Sequence, residues 1–523
     1  MQRSEIAHQE IRRQIQRASI WLAGSLLLSR VVGFFREWIL AQLVGVSELT
    51  DVFYASFSVP DFLSYLMAAG ALGISFIPIF AEALTNESRE RANDIFRWIS
   101  TYVGSLFLLL TGIAYLWTEP LARWIAPGFS ESQIALLITL IRIILPSQLF
   151  FFWGALAMAV QQTHGRFLCS ALAPIFYNLS IITCGALFSH TLGVRAFSVG
   201  VLVGAFLGNG LLQAFALRAL GYSMLPLWRL EARGLTVLKR YARLSLPVML
   251  GFSIVVTDEW IAKYFASLGG SKAISWLAYA RIELRVPMAI IGQVAGVASY
   301  PYLSRLWSSG DRQNYVRTLL HECLQIFALS SVATVFTISY ALPITHFLFG
   351  GSRFTPADFT QTSIALQMYS IGLLFWVLQI LLARAFYARQ KTWLPSLVGT
   401  GVSVIAIPIY QTLGGWLSFA GLALSGSVGV TIYCIALGWV LLRDLKEDLS
   451  ASVIRRSVRF TILWSGVTGL MYLLCQLLRS GHLYQGTQLS GLADVVLGLA
   501  VVGMATLLLL RKAFARLTDG PLL

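Results

Sequence analysis

Long apolar runs recur along the whole 523-residue chain. Each is near the length a helix needs to cross a bilayer, roughly 20 residues. About fourteen can be placed, at residues 19–43, 51–81, 96–118, 133–160, 168–189, 195–217, 244–267, 274–300, 318–342, 360–386, 394–412, 415–442, 458–478 and 489–510. A spanning segment must satisfy its backbone hydrogen bonds internally, so the expected fold class is all-α, a polytopic membrane protein. Composition agrees. The chain is 57% hydrophobic and 12% charged, more apolar surface than a soluble protein of this size could cover.

The net charge of +15 belongs to the same picture. Lysine and arginine gather at the N-terminus, at the C-terminus and in alternate connections, for example Arg89, Arg166, Arg233, Arg240, Arg312, Arg389, Lys391 and Arg443. Positive charge is retained on the cytoplasmic side, which sets both termini in the cytoplasm and makes the number of crossings even. Nucleic acid is not needed as a partner. Residues 1–18 read as a cytoplasmic amphipathic segment, with a frayed polar tail as the alternative.

Several chemistries find no support. Five scattered cysteines and six histidines show no metal-ligand spacing, so no metal or other cofactor is expected. No phosphate-binding loop, nucleophile elbow or dinucleotide fingerprint occurs, which excludes a nucleotide partner and argues against an enzyme. The connections on the outer side, the largest near 119–132, 343–357 and 479–490, are too short for a folded catalytic domain.

An internal repeat organises the chain. At an offset of 223 residues Pro78 falls on Pro301, Pro120 on Pro343, Gly128 on Gly351 and Arg166 on Arg389. The expected divisions are a six-helix lobe at 19–225, a second at 226–450, and an additional helix pair with a cytoplasmic tail at 451–523.

Charge inside a membrane costs roughly 2.5–3.5 kcal/mol on insertion scales and marks function by default. Arg30, Arg36, Glu37, Asp51 and Asp61 lie on the first two crossings of the first half. Asp258, Glu259, Lys263, Arg281, Glu283 and Arg285 lie on the corresponding pair of the second. Arg30 and Glu37 share a helical stripe, whereas Arg36 points to the flank. Arg281 and Arg285, one turn apart, need nearby acids or a bound anion. The planar guanidinium suits phosphate, so Arg30, Arg36, Arg281 and Arg285 are candidate substrate-binding residues. The alternative is a set of internal salt bridges such as Arg30 with Asp51. Asp258 and Glu259 are candidates for ion coupling or, equally, acids that neutralise Lys263 or Arg281. Glu37 and Lys263, near helix ends, are expected to snorkel.

The run S-R-x-x-G-F-x-R at Ser29, Arg30, Gly33, Phe34 and Arg36, followed by T-D-x-F at Thr50, Asp51 and Phe53, resembles the MurJ/MviN family. Further matches are G-A-x-x-x-x-F-x-P at Gly70, Ala71, Phe76 and Pro78, A-P-G-F at Ala126–Phe129, Asn178 with Ser180, and F-Y-A-R-Q at Phe386–Gln390. These are bacterial lipid II flippases within the multidrug/oligosaccharidyl-lipid/polysaccharide exporter superfamily. The resemblance implies two six-helix lobes around a central cationic cavity, two C-terminal helices that hold a polyprenyl tail, and alternating access. It implies a bacterial inner-membrane location and a role in peptidoglycan synthesis. The implied partners are the lipid-linked peptidoglycan precursor and membrane lipids, with association with cell-wall synthesis proteins a further candidate. By residue-wise carry-over it assigns Arg30, Arg36 and Asp51 to the cavity, and Ser29, in the same opening motif, is a further candidate substrate-binding residue. Three departures stand out: Ser64 and Tyr65 occupy the place of a family arginine pair, Ala69 that of an acid, and Arg281, Ile282 and Arg285 alter the motif before Pro287. The expected function is therefore lipid II flipping. The alternatives are another polyprenyl-linked oligosaccharide for exopolysaccharide export, or a cation-coupled small-molecule exporter.

Overall fold

Backbone hydrogen bonds close within helices throughout the computed structural model, which describes residues 28–68, 75–229, 231–249, 254–448, 451–481, 491–500 and 503. The segment 1–18 and half of the final expected crossing lie outside these residues. No strand occurs among the described residues. The chain forms two compact units, residues 1–250 and 251–523.

The first unit opens with α1 (28–43). The crossing expected at 51–81 is broken at Phe57 between α2 (Glu48–Ser56) and α3 (Ser58–Ala68), and α4 (Ile77–Asn86) carries its last residues. Local chemistry explains the starts. Ser47 caps α2 by accepting from the Thr50 N–H, and Pro78 sits in the first turn of α4, where its missing N–H costs nothing. Three long helices follow α5 (Arg89–Leu116) and α6 (Thr118–Ile125): α7 (Glu131–Thr163), α8 (Leu168–Leu192) and α9 (Arg195–Ala219). A Ser130–Gln133 capping box starts α7. α10 (Ala232–Met249) is tied to α4 at its basic end. Arg240 reaches Glu82 at 2.8 Å and holds that exposed carboxyl below the usual range by hydrogen bonding and charge, and Arg233 pairs with Glu87.

Helices α8 and α9 approach unusually closely. A Cβ on Gly200, Gly204 or Gly208 would lie 2.6, 2.7 and 2.6 Å from backbone atoms of Ile181, Tyr177 and Ala173. Membrane helices lack a hydrophobic drive toward one another, and such small-residue stripes let backbones meet. This stripe fixes the position of Tyr177.

The second unit contains α11 (Ile254–Leu268), α12 (Ala273–Ser308), α13 (Arg312–Ser339), α14 (Ala341–Phe349), α15 (Pro356–Ile371), α16 (Leu373–Ala388) and α17 (Trp393–Asp444). α15 and α16 bend by 45° at Gly372. Ser418, with φ 53°, divides α17 into two arms that correspond to the crossings expected at 394–412 and 415–442. α18 (Ala451–Gly481) lays Phe460, Trp464, Met471 and Cys475 against α13, and Trp464 Nε1 donates to the Ala328 carbonyl at 3.2 Å. α19 (Gly491–Ala500) ends the described chain.

Seven helices among the described residues are long and apolar enough to cross a membrane, or eight with the bent pair as one span. Outside that set fall the first two crossings of each half, where charges and breaks concentrate. The outer connections are shorter than expected, because 118–125 and 341–349 are helical. These two helices keep the 223-residue offset. The turns after α7 and α16 do not. Both close with the same pair of hydrogen bonds: Gly165 N–H to Gln162 and Arg166 N–H to Gln161 in one, Gln390 N–H to Tyr387 and Lys391 N–H to Phe386 in the other. Gly165 and Gln390 carry the left-handed backbone, φ 67° and 60°. Arg166 therefore corresponds to Lys391, not to Arg389 as the sequence offset suggests.

Candidate functional site

In the first unit Arg36 is the hub. Its Nε donates to Glu37 Oε1 at 3.1 Å and its Nη1 to Asn178 Oδ1 at 3.1 Å, and Nη2 also pairs with Glu37. The Tyr54 hydroxyl donates to Glu37 Oε2 at 2.7 Å. Asn178 is held by its own helix, Nδ2 donating to the Pro174 carbonyl at 2.9 Å. Arg36 thus points into the unit between α1, α2 and α8, not to its flank. Glu37 is buried and bonded, not snorkelling. Ser29 is half-buried and Arg30 is exposed on α1. Asp51 is buried in the first turn of α2, where the helix dipole favours a carboxylate.

In the second unit Asp258 is the hub. Arg281 Nη2 meets Asp258 Oδ2 at 2.6 Å and the Tyr369 oxygen at 3.0 Å, and the Tyr410 hydroxyl donates to Asp258 Oδ1. The Arg281 guanidinium also lies over the Tyr369 and Trp376 rings, 4.9 and 5.9 Å from their centroids. Gly426 leaves room for this cluster: a Cβ there would stand 2.9 Å from Asp258 Oδ1. Glu259 contacts Lys263 and Arg285, each at 3.3 Å. Lys263 is buried in that pair and does not snorkel. Arg281 and Arg285 therefore each have an acid, and Asp258 and Glu259 each have a cation. Arg285 stays accessible, with 60% of its side chain exposed. Glu283 turns inward and accepts from Thr345 Oγ1 at 3.1 Å.

Tyr54, Tyr177, Asn178, Tyr369 and Tyr410 complete these clusters, yet as uncharged residues they carry no signal in a search for intramembrane charge. Asn178 alone had a cue, as one of the residues that carry the family resemblance. No group of three or more histidines, cysteines or acids capable of holding a metal occurs among the described residues.

Two helical units, each burying an arginine–acid cluster among membrane-length helices, define a polytopic membrane protein built like a transporter. The same architecture is found in an inward-facing multidrug resistance MATE family transporter of the MOP superfamily (TM-score 0.66, 16% identity, 83% of this chain and all of that one). It is closer in "Lipid II flippase MurJ, inward closed conformation" (TM-score 0.76, 21% identity, 95% of this chain and all of that one). The family model "Lipid II flippase MurJ" matches residues 40–492, and the chain belongs to that family. A relative from Burkholderia cenocepacia, named lipid II flippase MurJ, is 29% identical over 430 residues, covering 80% of this chain and 82% of its own.

Proposed function

We propose that this protein moves lipid II, the polyprenyl-pyrophosphate-linked peptidoglycan precursor, from the inner to the outer leaflet of the bacterial cytoplasmic membrane by alternating access. Membership of the family over residues 40–492 carries this reading. The chemistry of the clusters supports it. Arg30 and Arg36 in the first unit, and Arg285 and Arg281 in the second, are the groups suited to pyrophosphate. Arg30 and Arg285 are exposed and meet the anion first. Arg36 and Arg281 already hold acids, so a phosphate engages them by exchange with Glu37 or Asp258. Ser29 lines the approach to Arg30, and Asp51 orients the start of α2. Asp258 and Glu259 couple transport to an ion or proton only when their pairs with Arg281, Lys263 and Arg285 open.

Both termini are cytoplasmic in this reading, residues 19–225 and 226–450 form the lobes, and the helices after 450 hold the polyprenyl tail. The protein transports and does not catalyse a covalent change. Cell-wall synthesis proteins are its natural neighbours in the membrane.

Complementation tests the assignment. In a bacterium whose own lipid II flippase is switched off, this chain restores outer-leaflet lipid II and growth, and Arg36→Ala does not. A well-inserted wild type that leaves lipid II in the inner leaflet contradicts the assignment and makes another polyprenyl-linked oligosaccharide the cargo.

A further inference from the structure

The first unit contains a cavity of about 160 Å³ beside the Arg36 cluster. Its polar lining is Asp61, Ser64, Gln148 and Tyr177, and Phe57 and Phe151 supply ring surface. Ser64 Oγ and Gln148 Oε1 are hydrogen-bonded to each other, and the Gln148 amide nitrogen donates to Ser147 Oγ at 3.2 Å. Tyr177 lines the cavity and the next residue, Asn178, accepts from Arg36 at 3.1 Å, so one turn of α8 serves both cavity and guanidinium. The glycine stripe of α9 holds that tyrosine in place.

The donor and acceptor inventory decides what such a cavity takes. A carboxylate only accepts, while hydroxyl, phenol and primary amide groups both donate and accept. Among the described residues no cationic side chain lines the space, and Asp61 repels an anion. Phosphate is therefore excluded. A neutral ring carrying several hydroxyls fits: its hydroxyls exchange hydrogen bonds with Asp61, Ser64, Gln148 and Tyr177, and its apolar face rests on the aromatic rings. Pockets of this kind take orientation from a few convergent polar groups and area from apolar walls. Ser64 gives this wall a hydroxyl for recognition.

We propose that this cavity is a saccharide subsite, which receives the uncharged pyranose ring next to the pyrophosphate while Arg36 holds the phosphate. The inference rests on the lipid-linked cargo proposed above and names the residues that read its sugar.

The test is equilibrium binding to the full-length protein in nanodiscs. The two probes are undecaprenyl pyrophosphate without sugar and the same lipid bearing one N-acetylglucosamine. The wild type is expected to bind the sugar-bearing lipid at least tenfold more tightly. Asp61→Asn and Gln148→Leu are each expected to cut that preference at least fivefold, with binding of the bare lipid changed less than twofold. Asp61 is exposed, so its variant is a sound check should Gln148→Leu fail to fold. Equal binding of both lipids by the wild type, or equal weakening of both in the variants, overturns the saccharide subsite while leaving the flippase reading intact. A wild type that binds neither lipid overturns both.

Discussion

Neutralising Asp258 strands a cation inside the second unit. The carboxylate is 1% exposed and the Arg281 side chain 12%, so neither reaches much water. Asp258→Asn keeps the shape and an acceptor for Tyr410 but removes the charge that faces Arg281. Breaking a buried pair by removing one partner costs about 3–5 kcal/mol, most of it from the abandoned charge. The cation–π contacts with Tyr369 and Trp376 leave Arg281 partly compensated, which points to the lower end, about 3 kcal/mol. Arg281→Met strands the opposite charge and is expected to cost a similar amount. The double variant removes both charges and is expected to regain about 2 kcal/mol relative to the sum of the singles. Unfolding from mixed micelles by dodecyl sulfate titration measures all three. Single losses below about 1 kcal/mol that simply add in the double variant would refute the closed pair.

Other consequences are simpler. Thr355 caps α15, its side chain accepting from the Asp358 N–H at 3.2 Å, and Thr355→Ala should cost about 1 kcal/mol in the same titration. Gly204→Ala drives a Cβ into the Tyr177 backbone, so about 1–3 kcal/mol should be lost, with weaker binding of sugar-bearing lipid. His346, stacked on Phe359 at 3.9 Å, has its pKa lowered by burial. The unfolded chain therefore binds more protons below the ordinary value of 6.5, and stability falls as pH drops through and below that value. His346→Phe should flatten this part of a melting-temperature profile between about pH 5 and 8.

Hydropathy was enough to read the seven or eight membrane-length apolar helices of the described residues, because an apolar run of that length is itself the signal. Pro60 and Pro78 announce an interruption of 51–81, and the structure places one at Phe57. The capping serine at 47 shifts the start of this segment, a detail that hydropathy does not carry. The intramembrane charges were likewise visible, since their cost makes them conspicuous. Their pairing was legible in part: neutralisation of Arg281 and Lys263 by Asp258 and Glu259 stood as one of two alternatives, whereas Arg36 finds Glu37 through an adjacent-residue contact that no pattern marked. Periodicity along one helix misses a contact between neighbours in the chain. The Arg166–Arg389 match shows a further limit. A constant offset slips by two residues where a turn is longer, and only the hydrogen bonds after Gln161 and Phe386 reveal the true partners. Tyr177 and Gln148 stayed hidden because uncharged polar residues in a span are common and mostly serve packing.

One measurement bears most directly on the proposed function: lipid II movement in proteoliposomes containing only this protein. Fluorescent lipid II placed in one leaflet should become accessible in the other at a rate set by the wild type, and Arg36→Ala should lower that rate at least tenfold while the protein remains folded. Transfer no faster than in protein-free vesicles, or an undiminished rate in Arg36→Ala, would contradict transport of lipid II through these arginines.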